Sequence, residues 1–273
     1  MKVKRYKLNK MKLLRLIIFM ILFIIFIISL IHIIDWFKDN KKLNKEMNNI
    51  ENTVNIEEID DEDAEIIGED IDKSDPYWDF IKMNLISVDF KDLRKQNSDT
   101  VGWIQVNNTN INYPFVQTSD NDYYLTHSFD KSSNGGGWLF LDYRNNKNDF
   151  DKNTIIYGHG RRNNTLFGTL RNILSSEWVN NTNNYVVKLS TETENTLWQV
   201  FSIYRIPTTS DYLQISFSSD DEFIEFANML LDRSNYDFNT SVSESDKILT
   251  LSTCYNDDDK VVLHAKLIKR FIR

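Results

Sequence analysis

The chain has one cysteine among its 273 residues, and the position of that cysteine suggests chemistry. Cys254 follows the alternating apolar run ILTLST and precedes the acidic loop YNDDD. A single cysteine is often a small buried hydrophobe. It can also be the nucleophile of an acyl-transfer enzyme, and then a histidine must lie nearby to move its proton. The settings of the histidines therefore bear on the choice between these two interpretations.

Three histidines lie outside the N-terminal region, and their surroundings differ. His264 lies inside the apolar run VVLHAKL, which favours a core histidine, and His127 lies in the polar turn THSFD, which favours a solvent-facing role. His159 ends the run TIIYG and has a glycine on each side. Glycines permit tight turns and the close approach of a ligand, and catalytic side chains are common where strands end. His159 is therefore the predicted partner of Cys254.

Acyl transfer also needs a group that stabilises the tetrahedral oxyanion. The nearest base after Cys254 is Lys260, six residues on, followed by Lys266, Lys269 and Arg270. No metal or nucleotide motif of the HExxH, phosphate-loop or GxGxxG type is present. The sequence therefore indicates a cysteine enzyme that uses no metal and no cofactor.

The N-terminal region has the pattern of a membrane anchor. Residues 1–15 carry seven positive charges and no acid, and residues 16–34 are apolar apart from Ser29 and His32. About 20 apolar residues in a helix span a hydrocarbon core of roughly 30 Å. No small-residue cleavage site follows, which favours an uncleaved span over a signal peptide. The basic flank predicts a cytoplasmic N-terminus, with the rest of the chain outside the cell membrane.

The remainder is predicted to form a tether and one folded domain. Residues 35–76 are strongly acidic and predict a flexible, solvated tether. Residues 77–273 are long enough for a single domain with a substantial core. The chain has a net charge of −8 and no basic stripe, so nucleic acid is not an expected partner.

The hydrophobic patterns in residues 77–273 are mainly those of strands. Short alternating or apolar runs predict eight strands near 102–106, 111–116, 138–142, 154–158, 185–190, 197–206, 248–253 and 261–268. Helical spacing predicts one or two short helices in 77–96, one helix near 166–174 and one near 220–233, the last capped by Asp220 or Asp221. Eight short strands with few helices predict a mainly β fold, a closed or nearly closed antiparallel barrel with helical decoration.

The motifs TLSTC at 250–254 and IIYGHG at 155–160 resemble those of the sortases, and of class B sortases most closely. Further matching pieces are VGWIQVNNTNINYPFVQTSDNDYYL, LFLDYRN, LFGTL, VFSIY and VVLHAKL, so that the resemblance covers roughly residues 78–270. It implies an eight-stranded sortase barrel behind an N-terminal anchor. It also implies a cysteine transpeptidase that cuts an NPxTN-like C-terminal sorting signal of surface proteins after threonine. The acyl group would pass to an amine of a peptidoglycan precursor or a pilin.

The resemblance also assigns roles to individual residues. It implies that Cys254 is the nucleophile and His159 the proton-transfer partner. Four further positions match residues that line the class B pocket and would contact substrate, namely Asn121, Tyr157, Tyr204 and Ser252.

The sequence departs from the family at the third catalytic position. The family has an arginine four residues before the position of His264, and this chain has Lys260 there. Lysine keeps the charge but lacks the planar fork of donors. Either Lys260 takes the arginine's role, or another arginine (Arg144, Arg161 or Arg162) reaches the site, or activity is weak. The acids of the loop, Asp257, Asp258 and Asp259, would either pair with Lys260 or simply face solvent.

Two other functions are compatible with the same residues. One is a sortase-like domain of weak or no activity that binds peptide or cell wall. The other is a tethered cysteine hydrolase that passes the acyl group to water. Acylation of Cys254 by a peptide separates the first alternative from a sortase, and the fate of the acyl group separates the second.

Overall fold

A computed structural model of the chain describes residues 9–59, 62–68, 77–255 and 258–273. The chain divides into two compact units, Met1–Lys45 and Glu46–Arg273. The predicted basic head and acidic tether lie partly outside the described residues, and the predicted division at residue 77 stays a prediction. The described part of the tether region is helical to Thr53, because the first helix continues from the apolar segment.

The helices are few and mostly short. The α-helices are α1 (Lys10–Thr53), α2 (Tyr77–Phe80), α3 (Lys91–Gln96), α4 (Ser176–Val179) and α5 (Asp220–Asp232), and the 3₁₀ helices are η1 (Tyr123–Leu125), η2 (Phe167–Leu174), η3 (Thr182–Asn184) and η4 (Asp211–Leu213). Among the described residues, α1 is the one helix long and apolar enough to cross a membrane, judged by length and composition.

The strands account for most of the second unit. They are β1 (Ile56–Ile59), β2 (Glu65–Ile66), β3 (Leu85–Val88), β4 (Thr100–Val106), β5 (Asn112–Val116), β6 (Phe140–Leu141), β7 (Asn153–Tyr157), β8 (Val186–Thr191), β9 (Glu194–Pro207), β10 (Ile248–Cys254) and β11 (Asp259–Ile272). The eight predicted strands correspond to β4–β11.

These eight strands form a closed barrel. Their order is β10–β7–β6–β5–β4–β8–β9–β11, and β10 also pairs with β11, which closes the sheet. β2 pairs with the outer end of β11, and β1 pairs with β3 in a separate ladder. Closure leaves no unpaired edge within the eight strands. The prediction of a barrel is therefore confirmed, although β5–β6 and β7–β10 pair in parallel rather than antiparallel.

Helix α5 packs against the outside of the barrel. Its apolar residues Phe223, Phe226, Ala227 and Leu230 recur at helical spacing and contact residues of β9, β10 and β11. These strands are consequently buried on both faces, which is why β10 and most of β9 show no alternation of exposed residues. The predicted helix is confirmed, but the cap is Ser219, which accepts a hydrogen bond from the backbone of Glu222.

One other element differs from the sequence prediction. Residues 77–96, predicted as one or two helices, are helix α2, strand β3 and helix α3. β3 lies antiparallel to β1, with Ile56 opposite Val88 and Ile59 opposite Leu85. The run LISV is rich in β-branched residues, and its pairing with β1 satisfies its backbone as a strand, which overrides the helical spacing of the flanking apolar residues.

Candidate active site

The sulfur of Cys254 and the ammonium of Lys260 lie in direct contact. Cys254 is the last residue of β10 and pairs directly with Lys260 on β11. Side chains of directly opposed residues in an antiparallel pair start within about 5 Å of each other, so the lysine needs only to fold back along the strand. Its Nζ lies 2.9 Å from the Sγ of Cys254 and donates to it. The strand register therefore places a positive charge on the candidate nucleophile.

His159 is brought to Cys254 by the parallel pairing of β7 with β10. Tyr157 pairs with Ser252, so the residues after Tyr157 leave the sheet beside Thr253 and Cys254. Two hydrogen bonds extend the contact: Gly158 N donates to the Ser252 carbonyl at 3.3 Å, and Thr253 Oγ1 donates to the Gly158 carbonyl at 2.7 Å. The predicted Cys–His juxtaposition thus follows from one strand pairing.

The glycine after His159 is required by this close approach. A Cβ atom on Gly160 would lie 2.0 Å from the carbonyl oxygen of Cys254. Any side chain at this position would therefore separate the histidine loop from the end of β10. The glycine allows the two backbones to touch, which is the function that the sequence pattern suggested for it.

One nitrogen of the His159 ring is held by a backbone carbonyl. Its Nε2 lies 2.7 Å from the carbonyl oxygen of Leu125, and a carbonyl can only accept, so Nε2 donates. In the neutral ring this bond fixes the proton on Nε2 and leaves Nδ1 able to accept a proton. His127 lies apart from the site, stacked on Tyr123 with its Nδ1 2.8 Å from that residue's carbonyl.

A cleft of about 550 Å³ opens beside these groups. It is lined by Asn121, Leu125, Phe140, Tyr157, Gly158, His159, Thr208, Thr209, Ser210, Tyr212, Leu213, Ser252, Thr253, Cys254 and Lys260. Six of the seven predicted site residues are among them. Lys260 is the one lysine or arginine that lines the cleft among the residues described.

The cleft has a floor and two walls. The floor consists of Tyr157 and Ser252, which are partners on β7 and β10. The first wall is the segment 121–125, and the second is the segment 208–213 between β9 and α5. Tyr157 donates its hydroxyl to Asp142 at 2.9 Å, and burial, together with that carboxylate, raises the Tyr157 pKa. The floor therefore presents a neutral phenol.

Tyr204 is not part of the cleft. Its side chain is 2% exposed and lies in the core beneath α5, where its hydroxyl is 2.8 Å from Nε2 of His264. Tyr204 therefore does not contact the space in which a substrate would bind, and the prediction of a substrate contact is not supported by its position. The neighbouring prediction for His264 is confirmed, since His264 is fully buried and its Nδ1 is 2.9 Å from Thr250 Oγ1.

Sequence reasoning missed the second wall. Tyr212 and Leu213 line the cleft, and the Tyr212 hydroxyl lies 3.0 Å from the Oγ of Ser252. These residues belong to the short 3₁₀ turn η4, within the otherwise polar stretch TTSDYLQ. The one sequence feature that could indicate a cleft wall here is an aromatic residue next to an aliphatic one in a polar loop. Two adjacent residues have no hydrophobic periodicity, so the strand and helix patterns do not detect them.

None of the three alternative arginines takes the place of Lys260. Arg144 forms a two-point ion pair with Asp142, Nε to Oδ1 at 2.9 Å and Nη2 to Oδ2 at 2.8 Å. The guanidinium of Arg161 lies where a Cβ on Gly136 would be, and Arg162 is exposed. None of them lines the cleft.

The acidic loop after Cys254 is only partly described. The carboxylate of Asp259 accepts from Arg205 Nε at 2.7 Å, and the Arg205 guanidinium stacks over the ring of Tyr255. The carbonyl of Asp258 accepts from the backbone of Thr208 at 2.8 Å, which joins the hairpin to the second wall. Asp257 lies outside the described residues. These contacts tie the hairpin that carries Lys260 to the end of β9.

Comparison with known proteins identifies the family. The sequence pattern of the sortase domain family matches residues 104–268, and the chain belongs to the sortases. Sortases of this kind are cysteine transpeptidases, and the chain is therefore one.

The relatives place the chain in class B. It is 35% identical to sortase B of Listeria monocytogenes over 188 residues, which cover 67% of this chain and 75% of the relative. It resembles the crystal structure of Bacillus anthracis sortase B in complex with AAEK1, with a TM-score of 0.67 and 31% identity, covering 86% of this chain and 99% of that one. It also resembles a sortase B crystallised in complex with triglycine, with a TM-score of 0.62 and 32% identity, covering 66% and 85%.

Proposed function

We propose that the chain is a membrane-anchored sortase that cuts an NPxTN-like sorting signal after threonine. In this proposal Cys254 forms a thioester with the threonine carbonyl carbon, and the acyl group then passes to an amine of the cell wall or of a pilin. The observation that carries the proposal is the 2.9 Å contact between Lys260 Nζ and Cys254 Sγ at the end of a cleft that also contains His159.

The first step is acylation. The nucleophile of a cysteine enzyme is the thiolate, and the Lys260 ammonium lies against the sulfur that would carry this charge. The sulfur attacks the threonine carbonyl, a C–S bond forms, and the negative charge moves to the carbonyl oxygen. His159, which took the thiol proton when the thiolate formed, gives it to the leaving amine as the C–N bond breaks. The products are a thioester on Cys254 and the released C-terminal peptide.

Lys260 has two successive electrostatic roles in this scheme. It pairs with the thiolate before attack, and when the charge leaves the sulfur the ammonium becomes available to the nearby oxyanion. Lysine can make this exchange because its ammonium is compact and its stem flexible. We thus propose that the ammonium of Lys260 takes the role that an arginine has in the family.

The second step reverses the first with a different amine. The acceptor attacks the thioester carbon, His159 takes the proton from the attacking nitrogen, and the thiolate leaves. Because one relative was crystallised with triglycine, this peptide is a reasonable acceptor probe. A helix of the length and apolarity of α1 supports anchoring in the membrane, with the catalytic unit outside the cell.

The test is the intact mass of a fragment comprising residues 46–273 after incubation with sorting-signal peptides of the NPQTN and LPxTG types. A mass gain equal to the acyl fragment in the wild type, and none in Cys254→Ala, is expected. His159→Ala should acylate at a small fraction of the wild-type rate. Wild-type-like cleavage by Cys254→Ala would refute the mechanism.

Added triglycine distinguishes transfer from hydrolysis. A sortase releases peptide joined to triglycine, whereas a hydrolase releases a threonine-ended product whether or not the amine is present. Absence of both adduct and cleavage with every peptide would indicate a binding domain and would contradict the proposed transpeptidation.

A further inference from the structure

A single buried carboxylate joins the floor of the cleft to its first wall. Asp142 follows β6 directly, and its side chain is fully buried. Its Oδ2 accepts from the hydroxyl of Tyr157 at 2.9 Å and from Nδ2 of Asn121 at 3.1 Å. The Oδ1 of Asn121 in turn accepts from the backbone of Tyr143 at 3.0 Å, so that both ends of this amide are fixed.

The same carboxylate reaches the second wall through an arginine. Arg144 binds both oxygens of Asp142 and, through Nη2, also donates to the Leu213 carbonyl at 3.1 Å. Leu213 belongs to η4, in the wall that comes from the connection between β9 and α5. That wall is distant in sequence from both Asp142 and Arg144, so the hydrogen bond is a tertiary link between separate segments.

We propose that Asp142 and Arg144 are positioning residues that set the distance between the two walls of the cleft and thereby determine how tightly the peptide binds. The inference rests on the proposed function, because it takes the cleft to be the peptide site. Neither residue lines the cleft, so both act through the residues that do, namely Tyr157, Asn121 and Leu213.

The chemistry of the pair fits this role. Carboxylate oxygens are acceptors only, and the groups around Asp142 (a guanidinium, a phenol and an amide NH₂) are all donors to it. Burial by itself would raise the pKa of Asp142, but the hydrogen bonds from Arg144 and Tyr157, together with the charge of the guanidinium, outweigh this and lower it. The side chain therefore remains ionised and keeps all its partners.

Asparagine at 142 is the sharpest substitution for testing the carboxylate. It has nearly the same shape, but its amide nitrogen would face donors at one of the two oxygen positions. Arg144→Met removes the link to Leu213 while leaving the carboxylate in place. Because Asp142 is fully buried, Arg144→Met costs stability, although the carboxylate keeps its donors Tyr157 and Asn121. Arg144→Lys keeps the positive charge at this position and is the variant expected to fold if the other two do not.

The control is Arg270→Met. Arg270 is exposed to a similar degree and forms a one-point ion pair, Nε to Oε2 of the exposed Glu65 at 2.7 Å, near the end of β11 opposite to Lys260. This substitution removes an arginine from an ion pair far from the cleft.

The first readout is peptide turnover by the full chain. Asp142→Asn and Arg144→Met are expected to raise KM about tenfold or more, as the loss of a charge-assisted hydrogen bond allows, with kcat changed less than about threefold. Alkylation of Cys254 by iodoacetamide should keep its wild-type rate, because the Cys254–Lys260 contact is not altered. Arg144→Lys should be intermediate, and Arg270→Met should match the wild type.

The second readout is amide hydrogen exchange of residues 210–214, which needs no substrate. Exchange should be faster in Asp142→Asn and Arg144→Met than in the wild type and in Arg270→Met. A folded Arg144→Met with wild-type KM and wild-type exchange would overturn the proposal. A decrease in kcat with no change in KM would also overturn it, as would the same increase in KM in Arg270→Met. If the wild type turns over no peptide, the proposed function fails, and exchange alone decides the positioning role.

Discussion

At the scale of single residues, the site is built around one contact that the strand register favours. Cys254 and Lys260 are direct partners across β10 and β11, so the register keeps the lysine within reach of the sulfur while its flexible stem allows the ammonium to shift. The two walls add no second lysine or arginine to the cleft among the described residues. In the proposed function, the side-chain electrostatic contribution to acyl transfer therefore rests on one ammonium group.

Replacement of Lys260 tests this proposed electrostatic role. Lys260→Ala is expected to lower kcat/KM by about a hundredfold, the usual cost of removing one oxyanion-stabilising group. Lys260→Arg should retain or raise activity, because the charge stays and the fork of donors is gained. The control Lys247→Ala removes a partly buried lysine that pairs with Asp149 away from the cleft, and it should be silent. Equal kcat/KM in wild type, Lys260→Ala and Lys260→Arg would show that Lys260 is not the electrostatic partner.

At the scale of elements, the parallel pair β7–β10 and the hairpin β10–β11 carry the reactive groups. His159 leaves β7 where Cys254 ends β10, and Gly160 allows the two backbones to touch. On the same face, next to the cleft, these strands and β9 hold a buried polar cluster in which His264 joins Tyr204 and Thr250. Thr250, Ser252 and Cys254 are alternate residues of β10, so one face of this strand carries both the polar cluster and the cleft residues.

Gly160→Ala should affect activity more than stability. The new Cβ would meet the Cys254 carbonyl oxygen at 2.0 Å, so the His159 loop must move away from the sulfur. We expect kcat to fall by at least about tenfold, since small displacements of a catalytic group are costly. The control Gly102→Ala meets Ser190 O at 2.7 Å elsewhere in the barrel, and it should lower Tm without lowering kcat per folded molecule. Equal kcat in the two variants would contradict this account.

The buried His264 should make the barrel sensitive to mild acid. Burial, with a contribution from Arg233, lowers the pKa of His264 to about 3, below its usual value of about 6.5. Between these values the unfolded chain binds the additional proton, so the stability of the fold falls as pH falls, by up to about 1.4 kcal/mol per pH unit. The loss begins near the unfolded pKa and stops below the folded one.

Comparison with His264→Phe isolates this effect. Carboxylates titrate in both proteins and cancel in the difference between their free energies of unfolding. That difference should shrink by about 2 kcal/mol between pH 7 and pH 5, because only the wild type has the histidine to protonate. Urea unfolding at the two pH values measures it. If the difference between the two free energies of unfolding does not change with pH, His264 titrates alike in the folded and unfolded chains.

At the scale of the whole molecule, the chain divides into two units of different composition. The first carries the apolar part of α1, and the second, from Glu46 onward, contains the barrel together with the ladder β1–β3. Tyr77 contributes to the same N-terminal edge, since its hydroxyl donates to the Ile67 carbonyl at 2.7 Å. The residues before Tyr77 therefore contribute to the stability of the catalytic unit.

Truncation separates the anchor from this supporting segment. The full chain should remain with membranes after an alkaline carbonate wash, whereas residues 46–273 should be soluble and folded. A fragment starting at Tyr77 should fold with a lower Tm, because it lacks β1 and β2 and their pairings with β3 and β11. Equal Tm values for the two fragments would show that residues 46–76 add nothing to stability.

The sequence by itself determined the barrel strands, the family and the choice of Cys254 and His159, which line one cleft. The eight barrel strands have local signals in alternation, β-branched residues and turns, and the glycines around His159 mark a strand exit. Lys260 could be counted from Cys254 because a short hairpin fixes which residues face each other. Local sequence patterns are enough to predict a contact when the two residues lie a few positions apart in the chain.

Only the tertiary structure decided which side chains share the cleft. Tyr204 and Tyr212 are both tyrosines near the end of β9, yet α5 covers the first, and the turn η4 directs the second to Ser252. The link from Asp142 through Arg144 to Leu213 joins segments about 70 residues apart and has no sequence period. The physical reason is that the face a strand presents, and the loops that close over it, depend on what packs against it from elsewhere in the chain.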